Sequence, residues 1–67
     1  MWKVIREWSE DYPEMGVFPT STKAFSAVQA EIGMRIPLGA LVVDTDGVWH
    51  IVCEGLDYTI TEVDEDD

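Results

Sequence analysis

The fold is decided by residues 40 to 53, Ala40-Leu41-Val42-Val43-Asp44-Thr45-Asp46-Gly47-Val48-Trp49-His50-Ile51-Val52-Cys53. Two apolar segments flank an Asp-Gly pair, which is typical of the tight turn of a β-hairpin. The stretch therefore predicts two antiparallel strands, Ala40 to Val43 and Val48 to Cys53, joined by Asp44 to Gly47. A further strand is expected from Tyr58 to Val63, because β-branched residues alternate there.

The chain before the hairpin predicts a strand, a loop and a helix. Residues 1 to 8 mix aromatic and β-branched residues with alternating charges and indicate a first strand. Residues 9 to 16 combine Pro, Gly and acids without periodicity, so a loop is expected there that can extend to Pro19. A helix is expected through Ile32, with a cap at Thr20, Ser21 or Thr22 and a stop at Gly33.

The predicted helix is amphipathic. Its apolar stripe consists of Ala24, Phe25, Val28 and Ile32, and the opposite face carries Lys23, Ser26, Gln29, Ala30 and Glu31. Such a helix packs on another element through its stripe.

The order β-α-β-β-β predicts an α+β fold, a single small domain over residues 1–63 with one mostly antiparallel sheet and one helix on one face. The last three strands form a meander, and the first strand could join either edge of it. Residues 64–67 are expected to form a frayed acidic C-terminal tail.

The net charge of the chain limits the kinds of partner that are expected. Fourteen acidic residues against four basic ones give a net charge of −10. Direct nucleic-acid binding needs a Lys/Arg surface and is disfavoured, whereas a basic protein surface is favoured. The alternative is that the acids only keep a small protein in solution.

Targeting signals are not expected either. A single cysteine excludes an intramolecular disulfide, and the basic N-terminus is followed by acids instead of an apolar signal core. The longest apolar run, Ala40 to Val43, is too short to cross a bilayer. The sequence predicts a cytoplasmic location and no membrane partner.

The residues that could perform catalysis are few. The lone histidine, His50, and the lone thiol, Cys53, are three positions apart, so on one strand they point to opposite faces. A structural zinc site needs four ligands, and the Asp44 turn does not follow the spacing of a calcium loop. We expect no enzyme activity, no metal and no cofactor.

Acidic residues are the informative feature, and they predict three patches. The first contains Glu7, Glu10, Asp11 and Glu14, the second contains Asp44, Asp46, Glu54 and Asp57, and the third is the C-terminal end from Glu62. Carboxylates two apart on a strand are roughly 6.6 to 6.8 Å apart, of the order of successive nucleic-acid phosphates. The candidate partner-binding residues are Glu7, Glu10, Asp11, Tyr12, Glu14, Asp44, Asp46, Glu62, Asp64 and Glu65.

In size and composition the whole chain resembles phage-encoded inhibitors of bacterial defence, notably anti-CRISPR proteins. The resemblance implies a non-enzymatic inhibitor that blocks a basic nucleic-acid-binding surface of a CRISPR effector subunit, by acidic mimicry or steric occlusion. Alternatives are an antitoxin or immunity protein that neutralises a basic toxin, and a structural acidic subunit of a larger complex. The chain could act as a monomer or as a homodimer joined at a sheet edge.

Overall fold

The chain forms one antiparallel sheet and one helix over the residues that the computed structural model describes, 1–33, 35–36, 40–44, 46–53 and 55–64. The elements are β1 (Trp2–Arg6), β2 (Glu14–Phe18), α1 (Ser21–Ile32), β3 (Leu41–Val43), β4 (Trp49–Cys53) and β5 (Leu56–Glu62). The strand order is β2-β1-β5-β4-β3, and every neighbouring pair is antiparallel. The predicted α+β class is confirmed, and the predicted elements occur in the predicted order.

Strand β2 is the addition that the sequence did not predict. The segment after Ser9 was expected to be a loop, but Glu14–Phe18 pairs with β1, with Val4 opposite Gly16 and Trp2 opposite Phe18. The register shifts between Val4 and Ile5, so the pairing contains a bulge. The expectation was wrong because the hydrogen bonds of this strand come from a neighbour in space, and local composition does not record that neighbour.

Strand β1 lies inside the sheet. It joins the meander at β5, where Val4 is opposite Ile60 and Arg6 is opposite Tyr58, and β2 then covers its other side. This settles which edge of the meander the first strand takes. The free edges of the sheet are β2 and the three-residue β3.

The helix begins and ends as predicted. Thr20 is the N-cap, and its side-chain oxygen accepts a hydrogen bond from the Lys23 amide at 3.1 Å. Gly33 has a φ of 81° and donates its amide to the Gln29 carbonyl, so it closes the helix in the left-handed conformation that favours glycine. No helix within the described ranges is long and apolar enough to cross a bilayer.

The core lies between α1 and one face of the sheet. Ala24 and Val28 of the helix pack on strand residues that are also fully buried, namely Val4, Ile51, Tyr58 and Ile60. Trp49 extends this core, with ring centroids 6.3 Å from Trp2 and 6.2 Å from Phe25. The opposite face of the sheet carries no described element.

An ion pair joins the last turn of α1 to the sheet. Arg6 of β1 donates to both carboxylate oxygens of Glu31, and the Tyr58 hydroxyl donates to the second oxygen at 2.6 Å. The side chains of Arg6 and Glu31 are only 19% and 27% exposed. Glu31 was expected on the solvent-facing side of the helix, and the residue as a whole is exposed there. The sequence did not predict that two donors of the sheet, Arg6 and Tyr58, bind its carboxylate.

These contacts shift the ionisation of all three groups. The Arg6 hydrogen bond lowers the pKa of Glu31 from its ordinary value of 4.5. The Glu31 carboxylate raises the pKa of Arg6, and burial raises the pKa of the Tyr58 hydroxyl. The neutral phenol and the charged pair are therefore the favoured forms around neutral pH.

We expect Thr20→Ala to lower the free energy of unfolding by about 1 kcal/mol, because the Lys23 amide loses its capping acceptor. Thr22→Ala, an exposed position inside the first turn, is the matched control and should not be destabilising, because alanine is the better helix former. Urea unfolding followed by tryptophan fluorescence measures both values. Equal effects of the two substitutions would contradict the assignment of the cap.

We expect Glu31→Gln to destabilise the protein by about 1 kcal/mol at neutral pH, a modest value because solvent partly screens the pair. A lowered carboxyl pKa stabilises the folded state above the ordinary pKa, and this is lost as the pH falls through the lowered value. The difference between wild type and variant should therefore shrink in acid. Urea titrations at pH 7 and at a series of lower pH values measure it.

The control for this series is Glu10→Gln, which removes an exposed carboxylate that forms no ion pair with a described residue. It should leave the free energy of unfolding at pH 7 unchanged. A destabilisation by Glu31→Gln that stays constant as the pH falls would show that the charge of Glu31 contributes nothing.

Candidate functional site

The acidic loop, residues 7–13, is tied to the sheet near both of its ends. Arg6 donates through Nη1 to the carbonyls of Tyr12 at 3.0 Å and Glu14 at 3.3 Å, and the Tyr12 amide donates to the Ser9 hydroxyl at 3.1 Å. The Trp8 ring packs edge to face on Tyr58, with centroids 6.3 Å apart. The backbone of this loop is therefore fixed by the same arginine that binds Glu31.

Tyr12 stands out from this fixed loop. Its side chain is 77% exposed, and it lies between the exposed acids Glu10, Asp11 and Glu14. Tyr12 is one of the candidate partner-binding residues of the sequence, and its ring is exposed. An exposed aromatic ring among charges has the composition of an interface anchor.

Five of the described acids share the end of the sheet where this loop lies, which we call the loop end. The Glu7 amide donates to the Asp57 carbonyl at 2.8 Å, so Asp57 at the start of β5 lies beside the loop. Glu14 begins β2, with its carboxylate 3.9 Å from the Lys3 ammonium. The loop end thus contains Glu7, Glu10, Asp11, Glu14 and Asp57.

Asp57 was predicted in a different patch, with Asp44, Asp46 and Glu54. The pairing of β1 with β5 moves it to the loop end, and Glu54 lies outside the described residues. Sequence alone could not make this assignment, because it left open which edge β1 joins.

The remaining described candidates lie at the opposite end, which we call the turn end. Glu62 is opposite Trp2 near the end of β5, and Asp64 follows it. The turn between β3 and β4 places Asp44 and Asp46 at the same end of the sheet. Glu65 lies outside the described residues.

Asp44 is engaged within the chain. Its Oδ1 accepts hydrogen bonds from the amides of Asp46 at 2.9 Å and Val48 at 3.0 Å, and its Oδ2 lies 3.2 Å from His50 Nε2. The Val48 amide is the main reason that the pKa of Asp44 is lowered. Asp44 therefore stabilises the hairpin turn, while Asp46 remains exposed.

His50 and Cys53 lie on opposite sides of the sheet. Cys53 is buried on the helix side with Ile51, whereas His50 and Val52 alternate with them on the other side. The thiol therefore has no access to the imidazole. Among the described residues, no group of three or more His, Cys, Asp or Glu side chains could hold a metal ion.

The open face is the side of the sheet opposite α1. One row of facing residues crosses four strands on it, Ile5, Thr59, His50 and Val42. Val52 and Val17 extend this surface on β4 and β2, and the exposed fractions of Val17, Val42 and Val52 are 43%, 55% and 56%. This surface was not predictable from the sequence, because its residues come from five strands and share a face only in this register.

A shallow groove of about 370 Å³ lies where the open face meets the loop end. The open-face residues His50, Val52 and Thr59 line it together with Glu7 and Asp57. The groove thus combines an apolar wall with two acids, a chemistry that suits the aliphatic stem and charged head of a lysine or arginine.

Comparison of the chain with protein-family models, with curated proteins and with solved structures found no match. The function is therefore inferred from the geometry of the loop end and the open face.

Proposed function

We propose that the chain is a non-enzymatic binding protein whose loop end occupies a cationic, nucleic-acid-binding surface of another protein. The observation that carries this proposal is the anchoring of the acidic loop by Arg6, which presents Tyr12 and its neighbouring carboxylates on a fixed backbone. A flexible acidic segment would not have this property.

Rigidity matters because binding must overcome the entropy of ordering the contact residues. Fixing the backbone of a mobile loop costs about 1 to 2 kcal/mol for each residue, in addition to the cost of ordering its side chains. In the acidic loop the hydrogen bonds of Arg6 and Ser9 have already ordered the backbone. More of the electrostatic attraction then remains as affinity.

The charge of the loop end is available to a partner. Glu7, Glu10 and Asp11 form no ion pair with any residue in the described part of the chain. Lysine or arginine residues of a partner would become their counterions, and the net charge of −10 would accelerate the encounter.

The first candidate target is a CRISPR effector in the bacterial cytoplasm. Such an effector holds nucleic acid in a positively charged channel, where an acidic protein competes by mimicry or by steric occlusion. Its expected action is stoichiometric, since Asp44 is committed to its turn and Cys53 is buried away from His50.

We expect wild-type protein to displace a labelled DNA duplex from a guide-loaded effector, measured by fluorescence anisotropy across a panel of RNA-guided effectors. Glu10→Lys with Asp11→Lys should weaken the inhibition by about tenfold or more, because like charges across an interface are strongly unfavourable. The matched control, Asp46→Lys with Asp64→Lys, makes the same charge change at the turn end and should retain inhibition.

Two outcomes would overturn this assignment. Equal loss in both double variants would show that net charge alone is responsible and not the loop end. Retention of DNA by every effector at saturating protein would exclude the CRISPR target, and an immunity protein for a basic toxin would then be tested by toxin neutralisation.

We expect Tyr12→Ala to weaken binding to the same effector by about thirtyfold, the effect of removing a hot-spot residue worth about 2 kcal/mol. Tyr12→Phe keeps the ring and should bind nearly as well as wild type. Both variants should unfold at the wild-type urea concentration, because the side chain is 77% exposed. If the Tyr12→Ala variant binds with wild-type affinity, Tyr12 does not contribute to the contact with the effector.

A further inference from the structure

We infer that the open face is a second docking surface, which takes a segment of the cationic partner that presents basic and apolar side chains together. The inference rests on the proposed function, because it assigns a second contact to the same partner. It adds a surface, a position for the partner's basic side chains and a chemistry that acidity alone does not specify.

The open face carries several exposed apolar side chains. An antiparallel sheet can expose one face to water, but that face is then usually polar. Here Val17, Val42 and Val52 are each about half exposed, and Ile5 stands at the other end of the row that ends at Val42. A surface with this many β-branched apolar side chains gains free energy when it is covered.

The groove adds acidic residues to this apolar surface. Glu7 and Asp57 line the groove together with Val52, which is opposite Asp57 in the sheet, and neither acid forms an ion pair with a described residue. A lysine or arginine of the partner can lay its methylenes on Val52 and direct its charged head to the two acids. Because the groove lies between them, the open face is continuous with the loop end.

Charge decides between the possible occupants. A second copy of this chain packed through the same face would bring its own Glu7 and Asp57 toward these acids, and like charges across an interface cost several kcal/mol. A basic segment with interspersed apolar residues matches both the acids and the valines. The open face is therefore assigned to a basic partner and not to self-association.

The matched substitutions are Val42→Lys and Val43→Lys. These neighbours on β3 are 55% and 52% exposed, but Val42 is opposite His50 on the open face and Val43 is opposite Trp49 on the helix side. Both variants add the same charge at nearly the same place in the chain. Any difference between them reports the face that binds.

The probes are two synthetic peptides of equal length and charge, one of Lys-Lys-Leu-Leu repeats and one of Lys-Lys-Ser-Ser repeats. In an extended peptide each face of the first repeat carries both lysine and leucine. Fluorescence anisotropy at low and high ionic strength measures affinity, and amide chemical shifts of the full chain locate the contact.

We expect the leucine peptide to bind about tenfold more tightly than the serine peptide, since tenfold corresponds to 1.4 kcal/mol, about two buried methylenes. Its binding should shift the amides of His50, Val52 and Thr59. Val42→Lys should abolish the advantage of the leucine peptide, and Val43→Lys should preserve it.

The failures are distinguishable. Equal affinity of both peptides, with shifts confined to residues 10 to 12, would overturn the open-face inference and leave the proposed function standing. Absence of salt-sensitive binding by either peptide would overturn both. Concentration-dependent shifts of the open-face amides in the free protein would assign the surface to a second copy and overturn the inference.

Discussion

The Arg6 guanidinium is the group on which both the fold and the candidate site depend. The last turn of α1 carries no basic residue, and a carboxylate at Glu31, near the negative end of the helix dipole, is unfavourable by itself. Arg6 supplies the missing positive charge from the sheet and uses its remaining donor to fix the carbonyls of Tyr12 and Glu14. One side chain thus holds the helix on the sheet and the acidic loop in place.

The parts of the fold that were predictable are those whose cause is local in sequence. Thr20 and Gly33 bound the helix through contacts with residues three and four positions away, and the Asp44 turn closes the hairpin within five residues. Strand β2 was not predictable, because Gly16 and Val17 acquire their partners from β1. The position of β1 was likewise undetermined until its pairing with β5 was known.

The same distinction applies to the site. Glu7, Glu10, Asp11 and Tyr12 are neighbours in sequence, and the loop keeps them together. Asp57 and the open-face valines come from other strands, so their positions required the complete register. Glu31 and Asp44 show a second limit of prediction from sequence. Both acids bind groups of their own chain, Glu31 the Arg6 guanidinium and Asp44 the amides of its turn, and the sequence did not indicate these contacts.

The two acidic ends are electrostatically separate, which makes the loop end a local source of strain. Strand β5 has seven residues, a length of about 23 Å, whereas the Debye length at physiological salt is about 8 Å. Repulsion therefore acts within each end and is not shared between them. At the loop end, the acids could move apart only if the backbone moved. The hydrogen bonds of Arg6 to the Tyr12 and Glu14 carbonyls oppose that movement. On the proposed function, cations of a partner would relieve that repulsion, so binding there would also stabilise the fold.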